Sequence, residues 1–153
     1  MYEELQAEYD SLNIKEMDLS EVNGLKGLYI DGNIAIQKGM TSAESGCTLA
    51  EEIGHHETSV GNILNLSDIR NRKQERTARL WAYDRLIGLS GIIKGFQNHC
   101  ANCYELAECL NVTEEFLREA LDCYKGKYGQ FVKLEGYIIF FDPSLAVMEI
   151  LQD

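Results

Sequence analysis

The pattern of apolar and polar residues predicts a chain built mainly of helices, with two short hairpins. Apolar residues recur at helical spacing in segments near residues 1–11, 42–56, 67–88, 92–97 and 105–120. Two runs of β-favouring residues are each divided by an acidic residue and a glycine, Asp31-Gly32 and Glu135-Gly136, which is typical of a hairpin turn. The pattern therefore predicts a mixed α+β fold.

The last third of the chain has the pattern of a helix-turn-helix unit. Thr113 stands between two helical segments and is followed by Glu114 and Glu115, a typical N-cap with acids in the first helical turn. A wing-like hairpin over residues 131–140 follows, Pro143 ends it, and a terminal helix is expected to start near residue 145. We therefore expect a core domain at residues 1–98 and a helix-turn-helix or winged-helix-like subdomain, packed on that core, at residues 99–153.

Composition and charge exclude several classes of function. The chain of 153 residues is 45% hydrophobic with one proline, as expected of a packed globule. Its net charge of −11 argues against general attraction to nucleic acid or to an anionic membrane. The sequence shows no long apolar run and no charged-then-apolar leader. Together with an odd number of cysteines, five, this predicts reduced thiols and a cytoplasmic location without membrane contact.

The candidate chemistry starts at Glu51-Glu52-Ile53-Gly54-His55, which resembles the zinc-peptidase signature His-Glu-x-x-His except at its first position. Residues 51 and 55 lie one helical turn apart on the same face, so both can bind one metal ion, and a carboxylate is an acceptable zinc ligand. Glu52 would then be the general base that acts on a metal-bound water. The alternative is that these residues are only the solvated polar end of an amphipathic helix.

A second helix supplies a further candidate ligand. Glu75, Ala78 and Ala82 share one face at i, i+3 and i+7, and alanines allow another backbone to approach closely. Gly54 costs a helix about 1 kcal/mol, so it indicates close packing at that point of the first helix. Glu75 is therefore a candidate third ligand that would leave the fourth position open, the alternative being a solvated helix acid.

The order and spacing of these segments resemble the ImmA/IrrE metallopeptidase family, and in particular its short phage and mobile-element members. The likeness covers most of residues 40–141 and is carried by five segments: Leu49–His56, Asn71–Glu75, Ala78–Ala82, Glu105–Ala107 and Val112–Leu117. It implies a small zincin-like α+β fold. It also implies a partner, a helix-turn-helix repressor that is cleaved or inactivated.

The resemblance also implies roles for individual residues. By position, Glu51, His55 and Glu75 would be the ligands of a Zn²⁺ ion, and Glu52 the catalytic base. The family has histidine where this chain has Glu51, so the site would be more anionic, would favour Mn²⁺ relatively more, and would turn over slowly or not at all. The alternative function is a catalytically degenerate relative that binds the repressor without cutting it. His56 could substitute as a ligand, although it points about 100° away from His55.

Two competing sites remain open at this level. His99, Cys100 and Cys103, with Cys109 beyond them, could bind a soft metal, but no second paired motif follows, so unligated thiols are the default. The helix-turn-helix could bind DNA, but three acids near the start of its second helix would face phosphate. We therefore predict no direct nucleic-acid binding and a structural or protein-docking role for this unit.

Overall fold

The computed structural model of the chain describes residues 1–22, 24–58 and 69–151, including the side chains of all of these except 69–71. The fold is mixed α+β and divides into two compact units, Met1–Arg85 and Leu86–Asp153. This division falls earlier than residue 98, where the sequence pattern places the domain boundary. Among the described residues, no helix is both long and apolar enough to cross a membrane.

The first unit combines three helices with one small sheet. Its elements are α1 (Tyr2–Glu8), β1 (Asn13–Met17), β2 (Gly27–Ile30), β3 (Asn33–Gln37), α2 (Ser42–Thr58) and α3 (Ile69–Leu86). The strand order is β1-β3-β2, with β1 parallel and β2 antiparallel to β3. Asp31 and Gly32 have φ of 47° and 82°, as a two-residue turn with positive φ at both positions requires, so the predicted hairpin is confirmed.

Helix α2 begins where the sequence predicts. The Thr41 hydroxyl accepts a hydrogen bond from the Glu44 N–H at 3.1 Å, and the Glu44 carboxylate accepts one from the Thr41 N–H at 3.3 Å. This capping box satisfies two N–H groups that the first helical turn leaves unpaired. The apolar stripe of Leu49, Ala50 and Ile53 is fully buried. The polar residues His56 and Glu57, near the end of the helix, are exposed.

The second unit consists of three helices followed by an antiparallel sheet of three strands. Its elements are α4 (Gly88–Gln97), α5 (Cys103–Leu110), α6 (Glu114–Tyr128), β4 (Phe131–Leu134), β5 (Tyr137–Phe140) and β6 (Ala146–Glu149). The Thr113 hydroxyl accepts a hydrogen bond from the Phe116 N–H, so the predicted N-cap is confirmed. The predicted hairpin of β4 and β5 is also confirmed, and β6 extends it in the order β4-β5-β6.

The prediction of a terminal helix that starts near residue 145 is wrong, because Ala146–Glu149 form strand β6. Ala146 pairs with Phe140 and Met148 with Ile138, across the edge of β5 that β4 leaves open. A short apolar run suits a strand as well as a helix, and an available strand edge decides between them.

Candidate active site on helices α2 and α3

The site is positioned by a close approach of α2 to α3. A Cβ atom placed on Gly54 would lie 2.4 Å from the carbonyl oxygen of Ala78, a separation that side chains do not adopt. Ala78 and Ala82 are fully buried. The predicted close packing at Gly54 and on the alanine face of α3 is therefore confirmed. It brings His55, beside Gly54, next to Glu75, one helical turn before Ala78.

His55 and Glu75 form a direct pair between the two helices. The His55 Nε2 atom lies 2.8 Å from Glu75 Oε2, and the two side chains are 12% and 38% exposed. The other carboxylate oxygen of Glu75 lies 3.4 Å from the Arg79 Nε atom. The His55 Nδ1 atom is buried and has no hydrogen-bond partner. The pair therefore uses the Nε2 atom of the imidazole, and the Nδ1 atom has no hydrogen-bond partner.

The charges around this pair shift the pKa values of both members. The hydrogen bond from His55 lowers the pKa of the Glu75 carboxyl, against an opposing effect of burial. Burial by itself would lower the pKa of His55. The hydrogen bond and charge of Glu75, with the charges of Glu52 and Glu51, outweigh burial and raise that pKa above its ordinary value. His55 therefore stands among three carboxyl groups that favour its protonated form.

Glu52 lies on the side of α2 that strand β2 covers. A Cβ atom on Gly27 would lie 2.6 Å from Thr48 Cγ2 and 3.0 Å from Glu52 Cγ, so the strand approaches this closely because it has a glycine there. Burial raises the pKa of Glu52 to about 7. The charge of His55 lowers this pKa, and the charges of Glu75 and Glu51 raise it further. Glu52 therefore gains and loses its proton near neutral pH, as a general base or acid must.

A second polar pair, which the sequence did not predict, follows Glu52 along the same surface. The Tyr29 hydroxyl lies 2.9 Å from His56 Nδ1, and the two rings meet edge to face at 5.6 Å between centroids. Gly27 and Tyr29 share one face of β2, whereas Glu52 and His56, four residues apart, share one face of α2. The sequence shows that the two residues of β2 share a face and that the two residues of α2 share a face. It does not show which residue of β2 lies against which residue of α2.

The described residues bring together two of the three predicted ligands. Within residues 1–22, 24–58 and 69–151, no group of three or more His, Cys, Asp or Glu side chains is arranged to hold a metal ion. His55 and Glu75 offer an imidazole and a carboxylate, donors that zinc accepts. Glu51 contributes its charge to the cluster. The described residues therefore bring His55 and Glu75 into direct contact, and they do not bring the full predicted ligand set together.

Comparison of the chain with protein-family models, curated proteins and solved structures gives no match. Function is therefore inferred from the residues of the site and from the strand that lies against them.

Proposed function

We propose that the first unit is a zincin-like endopeptidase module of the ImmA/IrrE type, whose target is a helix-turn-helix repressor. The observation that carries this proposal is the direct His55–Glu75 pair between α2 and α3, with Glu52 three residues before His55 on α2. Glu52 is half-buried, and burial raises its pKa to about 7. Strongly shifted carboxyl groups beside a specific charge partner are concentrated at functional sites. A proton acceptor tuned to neutral pH is what peptide hydrolysis needs at this place.

Glu52 has two tasks in the proposed reaction. As a carboxylate, it accepts a proton from the water molecule whose oxygen attacks the carbonyl carbon of the peptide bond. As a carboxylic acid, it then gives that proton to the leaving amine nitrogen, which returns Glu52 to its starting state. Because its pKa lies near 7, both forms of Glu52 are populated at neutral pH.

His55 and Glu75 are proposed as the residues that would hold a divalent ion, with Glu51 as the expected third ligand. When bound, such an ion supplies Lewis-acid polarisation of the peptide carbonyl. Zn²⁺ suits the imidazole, and the high share of carboxylates extends the range to Mn²⁺. Arg79 contacts the second oxygen of Glu75 and holds the plane of that carboxylate.

Strand β2 is the proposed binding place for the substrate backbone. It is an edge strand of the sheet, and its residue Gly27 lies against Glu52. An extended peptide can pair with such an edge as a further strand, which would bring its backbone alongside the base. The net charge of −11 suits a basic partner, and DNA-binding repressors have basic surfaces.

A second candidate is a module of the same origin that binds the repressor without cleaving it. Two observations favour it: Glu51 occupies the position of the family's first histidine, and the described residues contain no three-membered ligand group. In this second candidate His55 and Glu75 hold α2 and α3 together, and Glu52 occupies the position of the catalytic base without acting as one.

Metal content and cleavage distinguish the two candidates. The protein is purified without added metal, analysed for bound elements before and after exposure to Zn²⁺ or Mn²⁺, and incubated with mobile-element repressors of the helix-turn-helix class. For the peptidase we expect one metal ion per chain and shortened repressor by mass spectrometry. Glu52→Gln should keep the metal and abolish cleavage, His55→Ala should lose both, and Glu57→Gln, an exposed acid of the same helix, should change neither.

Intact repressor and absent metal would overturn the peptidase proposal. If the repressor nevertheless forms a stable complex with the chain, the second candidate stands. If it forms none, both fail.

A further inference from the structure

The second unit contains a cavity that two thiol groups line. Its volume is about 220 Å³, and its walls are formed by α4, by residues 100–103 with Leu106, and by residues 144–147, which include the start of β6. Most of the wall is apolar, with Ile92, Phe96 and Leu106 among the lining residues, and Cys100 and Cys103 are its sulfur-bearing members. A small uncharged molecule that enters this cavity therefore meets a thiol.

Residues 98–101 lie along one face of α5. The Cys100 Sγ atom donates a hydrogen bond to the Glu105 carbonyl oxygen at 3.7 Å, and the Asn98 Nδ2 atom donates one to Cys109 Sγ at 3.4 Å. The Ala101 N–H donates to the carboxylate of Glu105. Glu105 and Cys109 are one helical turn apart, so these contacts lie on the same face of the helix. They place the sulfurs of Cys100 and Cys109 on the same face of α5, about one helical turn apart.

The pKa of Cys100 responds to Cys109, as expected of two thiols on the same face of α5. The pKa of Cys100 is raised by burial and then by the charge and the hydrogen bond of Cys109. The Cys-x-x-Cys spacing in the sequence would have paired Cys100 with Cys103, whereas the packing of the turn on α5 pairs it with Cys109.

We propose that Cys100 and Cys109 form a reversible oxidation site, at which a small hydroperoxide converts the two thiols into a disulfide. One sulfur loses its proton and, as the thiolate, attacks the terminal peroxide oxygen. The O–O bond breaks, and the products are a sulfenic acid and water or an alcohol, which takes up a proton. The raised pKa of Cys100 makes this step slow at neutral pH. The second sulfur then attacks the sulfenic sulfur, the S–S bond forms, and a second water leaves. Two electrons pass from the sulfurs to the peroxide, and a dithiol reductant reverses the change. This site is independent of the function proposed for the first unit.

The test uses the full chain, reduced and then exposed to hydrogen peroxide, with the remaining thiols alkylated after unfolding. We expect alkylatable thiols to fall from the five of the chain to three, with the loss of two hydrogens in mass. Digestion after glutamate cuts at Glu105 and Glu108, which separates Cys109 from Cys100. The two resulting peptides should remain joined until a reductant is added.

Three single variants identify the partners. Cys103→Ser, the matched control, should form the same cross-link at the same rate. Cys100→Ser and Cys109→Ser should each keep all their remaining thiols alkylatable. A cross-link that includes Cys103, one between two chains, or oxidation to sulfinic acid with no cross-link would each overturn the proposal.

Discussion

Charged groups are arranged differently in the two units. In the first unit Glu52, His55 and Glu75 act on one another's pKa values, and the side chains of His55 and Glu75 are 12% and 38% exposed. In the second unit the ion pairs of the described residues lie on the surface, such as Arg118 with Glu114, whose side chains are 62% and 42% exposed. Water screens the charge of Arg118 more strongly than that of His55, because the His55 side chain is far less exposed.

Exposed ion pairs and the half-buried acids of the first unit therefore affect stability differently. Glu52 lowers the free energy of unfolding at neutral pH, because burial opposes its ionisation. A surface pair such as Arg118–Glu114 contributes little in either direction. Acids with strongly raised pKa values cluster at functional sites, so we expect activity at the half-buried Glu52 and its neighbours on α2 and α3.

The largest expected effect comes from Gly54→Ala. The new methyl group would meet the Ala78 carbonyl oxygen at 2.4 Å, and backbone cannot move aside as a flexible side chain can. We expect a loss of about 3 kcal/mol in the free energy of unfolding, measured in urea. The matched control is Gly126→Ala in α6, where nothing lies within 4 Å of the added atom. It should gain about 0.5 to 1 kcal/mol from helix propensity, and a similar loss in both variants would contradict the close approach of α2 to α3.

Glu52→Gln should be stabilising, and only at higher pH. The folded-state pKa of about 7 lies above the ordinary value of 4.5, so the folded state holds the proton more tightly and stability falls as pH rises between these values. Glutamine removes this penalty, and we expect a gain of about 2 kcal/mol near pH 8 and almost none near pH 4. Thermal unfolding across this range measures it. A gain that does not change with pH would show that burial of the charge is not the cause.

Glu75→Gln should weaken the α2–α3 pair within a defined pH window. The lowered pKa of Glu75 stabilises the fold above 4.5 and loses its effect as pH falls, while the raised pKa of His55 stabilises it below 6.5 and loses its effect as pH rises. Between these values we expect a loss of about 1 kcal/mol, since Glu75 is partly exposed. An NMR titration of His55 should show its pKa falling. An unchanged His55 pKa would mean that Glu75 does not act on it.

The smallest effect is expected for Arg118→Ala. Its pair with Glu114 is exposed and spans one helical turn, so we expect a change within about 0.5 kcal/mol that added salt makes smaller still. Urea unfolding at low and high salt measures this. A loss as large as that of Glu75→Gln would remove the distinction between the two units.

Local signals account for the elements that were predicted correctly. The turn at Asp31-Gly32 depends on two adjacent residues, and the N-cap of α6 depends on Thr113 and the residues directly after it. Strand β1 was not predicted because four of its five residues are exposed, and its partner β3 is distant in the chain, with Asn13 opposite Asn33. Parallel pairing of this kind leaves no turn signal in the sequence.

The sequence by itself determined that Glu52 and His55 belong to one helix, that Gly54 marks a close approach, and that a capped helix follows Thr113. These features depend on residues a few positions apart, where helix geometry is regular. Only the tertiary structure decided that His55 meets Glu75, that Tyr29 meets His56, and that the residues around Cys100 pack on α5 beside Cys109. Such pairs depend on how separate elements pack, because packing sets the register between them and local spacing does not.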